Sequence, residues 1–140
     1  MKRIIKLFLV LTVLLLASCG DRLTEKVINT YDNGQPETVQ LVDRKGVSQH
    51  EIRYYKDGTM LMEGDVKDDK WDGEWKAYFP DGKLQSIGYF KDGLRVGESK
   101  VYHSNGNLFK EGYYTNGKRT GKWTTYDEQG YVAGVEDLGD

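Results

Sequence analysis

The sequence predicts an all-β fold, an elongated antiparallel meander of successive β-hairpins with a 24-residue period, preceded by an N-terminal apolar helix. Three observations carry that prediction. Gly34, Gly58, Gly82, Gly106 and Gly130 are each 24 residues apart, and the same spacing runs through Gly64, Gly88 and Gly112, through Gly73, Gly97 and Gly121, and through Tyr54, Tyr78, Tyr102 and Tyr126. Asp-Gly or Asn-Gly pairs punctuate short runs rich in aromatic and β-branched residues, the strongest local signal for a hairpin. The composition agrees: 12% aromatic residues with 17 Gly and 2 Pro suit strands and tight turns better than helices.

The elements follow in chain order. Residues 1–18 have a basic start at Lys2, Arg3 and Lys6, an apolar stretch from Leu7 to Leu16, and small residues before Cys19. This is the layout of a secretory signal peptide, and the stretch is short of the roughly 20 apolar residues that a membrane-spanning helix needs. Residues 19–26 form a short tether. The repeat domain occupies 27–140, with a weak first copy at 27–50 that keeps Tyr31 and Gly34, clear copies over 51–133, and an acidic tail at 134–140.

The clearest unit is WKAYFPDGKLQSIGYFKDGLRVGE, from Trp75. Its Asp81-Gly82 joins two runs, and Asp92-Gly93 leads into the next unit. Asp57-Gly58, Asn105-Gly106 and Asn116-Gly117 recur at equivalent places, so the chain should run up and down through about nine strands of five or six residues. Helix is disfavoured because Gly or Asx interrupts every seven to ten residues. Glycine within a strand marks a close approach, so Gly64, Gly88 and Gly112 are expected to make room for the rings of Tyr54, Tyr78 and Tyr102.

Charge and composition exclude several functions. Without its first 19 residues the chain holds 17 basic against 22 acidic residues, near −5, whereas a nucleic-acid partner would select a basic face. One cysteine rules out an intramolecular disulfide and any zinc site built on several thiolates. A hydrolase would need a nucleophile beside a positioned base, yet the two histidines are His50 and His103, and His103 holds the repeat position of Tyr55 and Phe79. Asp68, Asp69 and Asp72 lack EF-hand spacing and fall in a turn. The reading is a non-enzymatic protein with no cofactor and no metal.

Leu16-Ala17-Ser18-Cys19 resembles the lipobox of bacterial lipoproteins at all four positions. The resemblance implies a diacylglyceryl group on Cys19, cleavage between Ser18 and Cys19, and acylation of the freed amine. Two or more acyl chains hold a protein stably where one does not. Asp directly after the cysteine favours retention at the inner membrane in enteric bacteria. Gly20 stands there, so the resemblance leans toward the outer membrane.

GEWKAYFPDGKLQSIGYFKDGLRVG and GKWTTYDEQG resemble the MORN repeat in its bacterial variant, over roughly residues 50–133. The match rests on Gly73, Trp75, Tyr78 and Gly121, Trp123, Tyr126, on Asp81 to Leu84, and on Gly88-Tyr89 and Gly112-Tyr113. Ser99 departs from it, since the pattern has Trp there. The resemblance implies a binding or scaffolding surface. The leading expectation is a lipid-anchored envelope module with a protein partner, contacted through Trp71, Trp75, Tyr78, Tyr102, Trp123 and Tyr126. Alternatives are an immunity or antitoxin-like protein, as the YwqK-type label of some similar chains suggests, and an envelope glycan-binding protein or hydrolase. Open sheet edges add the prospect of self-association.

Overall fold

The computed structural model describes residues 22–139; the signal-peptide reading, Ser18 and Cys19 lie outside these residues. Ten strands form one antiparallel sheet in strict chain order: β1 (Thr24–Thr30), β2 (Pro36–Val42), β3 (Ser48–Tyr54), β4 (Met60–Lys67), β5 (Lys70–Tyr78), β6 (Leu84–Lys91), β7 (Leu94–Tyr102), β8 (Leu108–Thr115), β9 (Lys118–Tyr126) and β10 (Val132–Asp137). The meander is as predicted, with one strand more than the nine expected. The additional strand lies at the end, where Val132–Asp137 takes up most of the stretch read as an acidic tail. At the other end β1 begins at Thr24, inside the stretch read as tether, and the weak first copy is folded as β1, β2 and the start of β3.

Two kinds of turn alternate. Between units, Asp92-Gly93 and Asn116-Gly117 have positive φ at both residues, as does Asp68-Asp69, which is the backbone that two-residue hairpins require. Within units the turns differ from that expectation. At Asp57-Gly58 only the glycine has positive φ; the Gly58 N–H donates to Tyr55 O and the Tyr55 N–H to Thr59 O. This is the three-residue loop that ends in a left-handed glycine, and the same two bonds recur at Phe79–Lys83 and His103–Asn107. Asp57, Asp81 and Asn105 cap their loops by accepting from the backbone N–H two residues on, at 2.9, 3.1 and 2.9 Å.

Among the described residues no second layer covers the sheet, so its apolar side chains must bury themselves along it. Val66, Trp75 and Phe90 form the core cluster, with Met62 and Trp71 packed against it. Trp71 stacks on Trp75 at 3.9 Å between ring centroids, and Phe90 meets Trp71 edge-on at 5.0 Å. Trp75 and Trp123 are 3% and 4% exposed.

These tryptophans, and not Tyr54, Tyr78 and Tyr102, fill the space that the strand glycines leave. A Cβ on Gly64 would lie 2.3 Å from the Trp75 ring, and one on Gly112 would lie 2.3 Å from the Trp123 ring. The correction has a simple cause: Gly64 pairs with Trp75 across β4 and β5, so the two share a face, whereas the tyrosines lie on the other. Gly88 is the exception. A Cβ there would meet nothing within 4 Å, because Ser99 stands where the repeat has Trp. A small cleft of about 30 Å³ opens beside it, with Trp71, Trp75, Phe90, Arg95 and Ser99 in its wall.

The glycines therefore separate by experiment. Gly64→Ala drives a methyl group into the Trp75 ring and should cost about 2–3 kcal/mol, whereas Gly88→Ala should stay within about 0.5 kcal/mol of the parent. Urea unfolding of the two variants measures both. In the same assay Ser99→Trp, with Arg95 and Phe90 positioned as Arg119 and Tyr114 are around Trp123, should add about 1–2 kcal/mol by covering Gly88.

Candidate functional site

The six side chains expected to form one contact surface divide between the two faces. Trp71, Trp75 and Trp123 lie on the face just described, where Trp75 and Trp123 are buried and Trp71 is half-buried beneath Arg53, whose guanidinium carbon is 5.3 Å from the ring centroid. They make the core. Tyr78, Tyr102 and Tyr126 lie half-buried on the opposite face.

On that second face two of the tyrosines are committed. Tyr78 donates its hydroxyl to Glu63 Oε1 at 2.7 Å, and Tyr126 donates to Glu111 Oε1 at 2.6 Å. Burial first, and then the bond to the Glu63 carboxylate, push the Tyr78 phenol up to about 12. The Glu111 bond raises Tyr126 as well. Tyr102 differs, because the residue equivalent to Glu63 and Glu111 is Ile87. Its hydroxyl makes no hydrogen bond among the described residues. It borders a shallow depression of about 150 Å³ with Ile87, Tyr89, Glu98 and Lys100.

Sequence reasoning missed the residues around this depression. Tyr89 is 37% exposed and donates to Glu74 Oε2 at 2.8 Å, and Tyr113 is 57% exposed. Their signal was the tyrosine that directly follows Gly88 and Gly112, which marks the opposite face by alternation. Glu98 and Lys100 pair at 2.9 Å, and this raises the lysine's pKa. The result is an amphipathic floor with an aromatic rim.

The other chemical candidates are occupied structurally. His103 places Nε2 3.0 Å from Tyr126 O, the bond that Tyr31 makes to Tyr54 O at 2.8 Å and Tyr55 to Tyr78 O at 2.9 Å, so it acts as a rung between successive turns. His50 lies between Asp65, at 2.8 Å, and Glu63, at 3.6 Å. Asp68 and Asp69 form a turn, and Asp72 accepts from Lys91 Nζ at 2.9 Å, which holds its carboxyl below the usual range. Among the described residues no three His, Cys, Asp or Glu side chains are placed to hold a metal, and no helix is long and apolar enough to cross a membrane.

Residues 71–92 and 95–118 match the model of the MORN repeat variant. The matched stretches are β5–β6 and β7–β8, each with the tight turn that ends its hairpin or begins the next. The repeat reading of the sequence thus holds for the centre of the sheet, and the repeating register extends it outward. No curated protein matches the chain. Among solved structures, a chain of a GtfA/B complex bound to UDP and GlcNAc is similar at 14% identity and a TM-score of 0.30; the match covers 87% of the present chain and 25% of that one.

The tyrosine–glutamate pairs make stability depend on alkaline pH. A folded Tyr78 keeps its proton to about 12 where the unfolded side chain releases it near 10, so its contribution is whole below pH 10 and is lost as pH rises from there through 12. Urea midpoints should fall as pH rises from about 10 to about 12, and less steeply in Tyr78→Phe.

Proposed function

We propose that this chain is a lipid-anchored module of the bacterial cell envelope that binds a protein partner through the tyrosine-lined face of its sheet. The observation that carries the reading is the depression at Ile87 and Tyr102. The tyrosine–glutamate pattern is broken here and at Tyr54, whose partner position holds the buried Val39, but only here does the exposed Tyr89 line a depression, with the exposed Tyr113 paired opposite its Glu98. In a repeat array the shared residues build the array, and departures from them are free to specialise. Tyrosine supplies contact area at low entropic cost, which suits an interface.

The anchor is the acylated Cys19 of the lipobox-like Leu16-Ala17-Ser18-Cys19. Gly20 after it favours the outer membrane. Acting by binding and not by catalysis agrees with a site whose carboxylates are paired with lysines or tyrosines.

Two measurements test the two halves of the proposal. Intact mass of the chain in the membrane fraction should begin at Cys19 with added lipid, and Cys19→Ala should abolish the lipid mass and release the protein; an unmodified product overturns the anchor. A photo-crosslinking residue at Tyr113 should give one discrete protein adduct, which Tyr102→Ala should reduce about tenfold while leaving the fold intact. An adduct unaffected by Tyr102→Ala overturns the assignment of the face.

A further inference from the structure

The edges of the sheet carry a second inference, independent of the tyrosine face. Both edge strands are exposed along their whole length, and neither β1 nor β10 has a second strand partner among the described residues. Large apolar side chains stand uncovered on both: Val27 and Ile28 on β1 are 51% and 41% exposed, and Val132 and Val135 on β10 are 61% and 60% exposed. Neither strand contains proline, and neither presents the clustered lysines by which natural edges discourage pairing.

The interstrand register shows what each edge is shaped to meet. One row of directly paired residues crosses all ten strands from Val27 through Val39, Ile52, Glu63, Lys76, Ile87, Lys100, Glu111 and Thr124 to Val135. A parallel row begins at Asn29 and ends at Gly134. The Asn29 row lies on the face opposite the Val27 row, and on that same face the row of the strand glycines and tryptophans begins at Lys26, opposite Gln40, and ends at Glu136, opposite Trp123. The two ends of the rows are therefore complementary: valine with valine, asparagine with glycine, lysine with glutamate.

We infer that the sheet continues from one copy of the chain into the next, β10 pairing antiparallel with β1 of a second copy so that Val135 meets Val27 and Glu136 meets Lys26. Strand type supports this partner over a pairing of like edges. Every odd-numbered strand in the sheet is flanked by even-numbered ones, so β1 supplies the kind of strand that would follow β10. Pairing β10 with β10 would set two even-numbered strands side by side, an arrangement found nowhere in the sheet. One juxtaposition opposes the contact, Asp137 beside Glu25, and Lys122 across from Asp137 moderates it. Because donor and acceptor edges differ, the association is head-to-tail and propagates beyond a dimer.

Cysteine crosslinking of the full chain tests the register. Directly opposed residues of an antiparallel pair lie within disulfide range. Val27→Cys with Val135→Cys in one chain should give, on mild oxidation, a ladder of dimers, trimers and larger species, above the background set by the unaltered chain with its Cys19. Mixing the two single variants should give dimers only, and neither alone should exceed background. Lys26→Cys mixed with Val135→Cys, which puts the thiols on opposite faces, should crosslink at least about tenfold less. Both valines are more than half exposed, so the variants should fold, which circular dichroism verifies. Val135→Cys dimerising alone as fully as the mixture would overturn the head-to-tail pairing in favour of like edges, and folded variants without a ladder would overturn it altogether.

Discussion

The structure depends on the constraint that a single-layer sheet has nothing to bury its large side chains against except itself. In a sandwich, rings from facing layers interdigitate. Here Trp75 and Trp123 lie down across the neighbouring strand, and only glycine lets them approach that closely, as Gly64 and Gly112 do. This contact explains why the strand glycines recur although glycine weakens a strand. It also explains the stacking of Trp71 on Trp75 and the placement of Arg119 over Trp123, with 4.3 Å from guanidinium carbon to ring centroid: the exposed side of each ring needs a lid.

The units are equal in backbone and unequal in side chain, and the inequality has its own order. Trp75 and Trp123 accompany Glu63 and Glu111, each the acceptor for a tyrosine on the far face. The unit between them has Ser99 for tryptophan and Ile87 for glutamate, so both faces change together. The copy that begins at residue 51 has Glu51 at the tryptophan position, buried at 7% exposure and held by Gln40 and Arg53. A pattern that alternates over two units lets one backbone repeat carry two kinds of surface.

Most of the fold was legible because glycine and Asx positions encode backbone geometry directly. The 24-residue combs fixed the hairpins, their order and the antiparallel meander. Side-chain pairing was less legible. Gly64 lies ten residues after Tyr54 and eleven before Trp75, and which ring covers it depends on register and facing, which shift at the irregularities of strand pairing. The periodicity cannot report this, since tyrosine and tryptophan share it. The tenth strand was missed because Val132–Asp137 lacks the later turn and reads as a charged end, yet its backbone pairs with β9 all the same. The site was half legible: Tyr102 was named, but its distinction from Tyr78 and Tyr126 lies in Ile87, fifteen residues earlier on the preceding strand, in the preceding unit.

The coincidence of these departures in one unit bears on the proposed binding. Removing tryptophan at Ser99 leaves the Gly88 backbone uncovered on one face, while Ile87 frees the Tyr102 hydroxyl on the other. The same pair of inner strands, β6 and β7, therefore lacks the tryptophan cover on the core face and the tyrosine–glutamate bond at Tyr102 on the other. In a linear array stability comes from each unit's own contacts and those with its neighbours, so a deficit in the middle divides the sheet into two better-packed halves around Trp75 and Trp123. Under the proposed function, a partner that fills the depression at Tyr102 would supply contacts where the array lacks them, and its binding free energy would couple the halves. Under that proposal recognition and cooperativity of the sheet share one location, because the side chains that would have locked the centre are the ones that differ there.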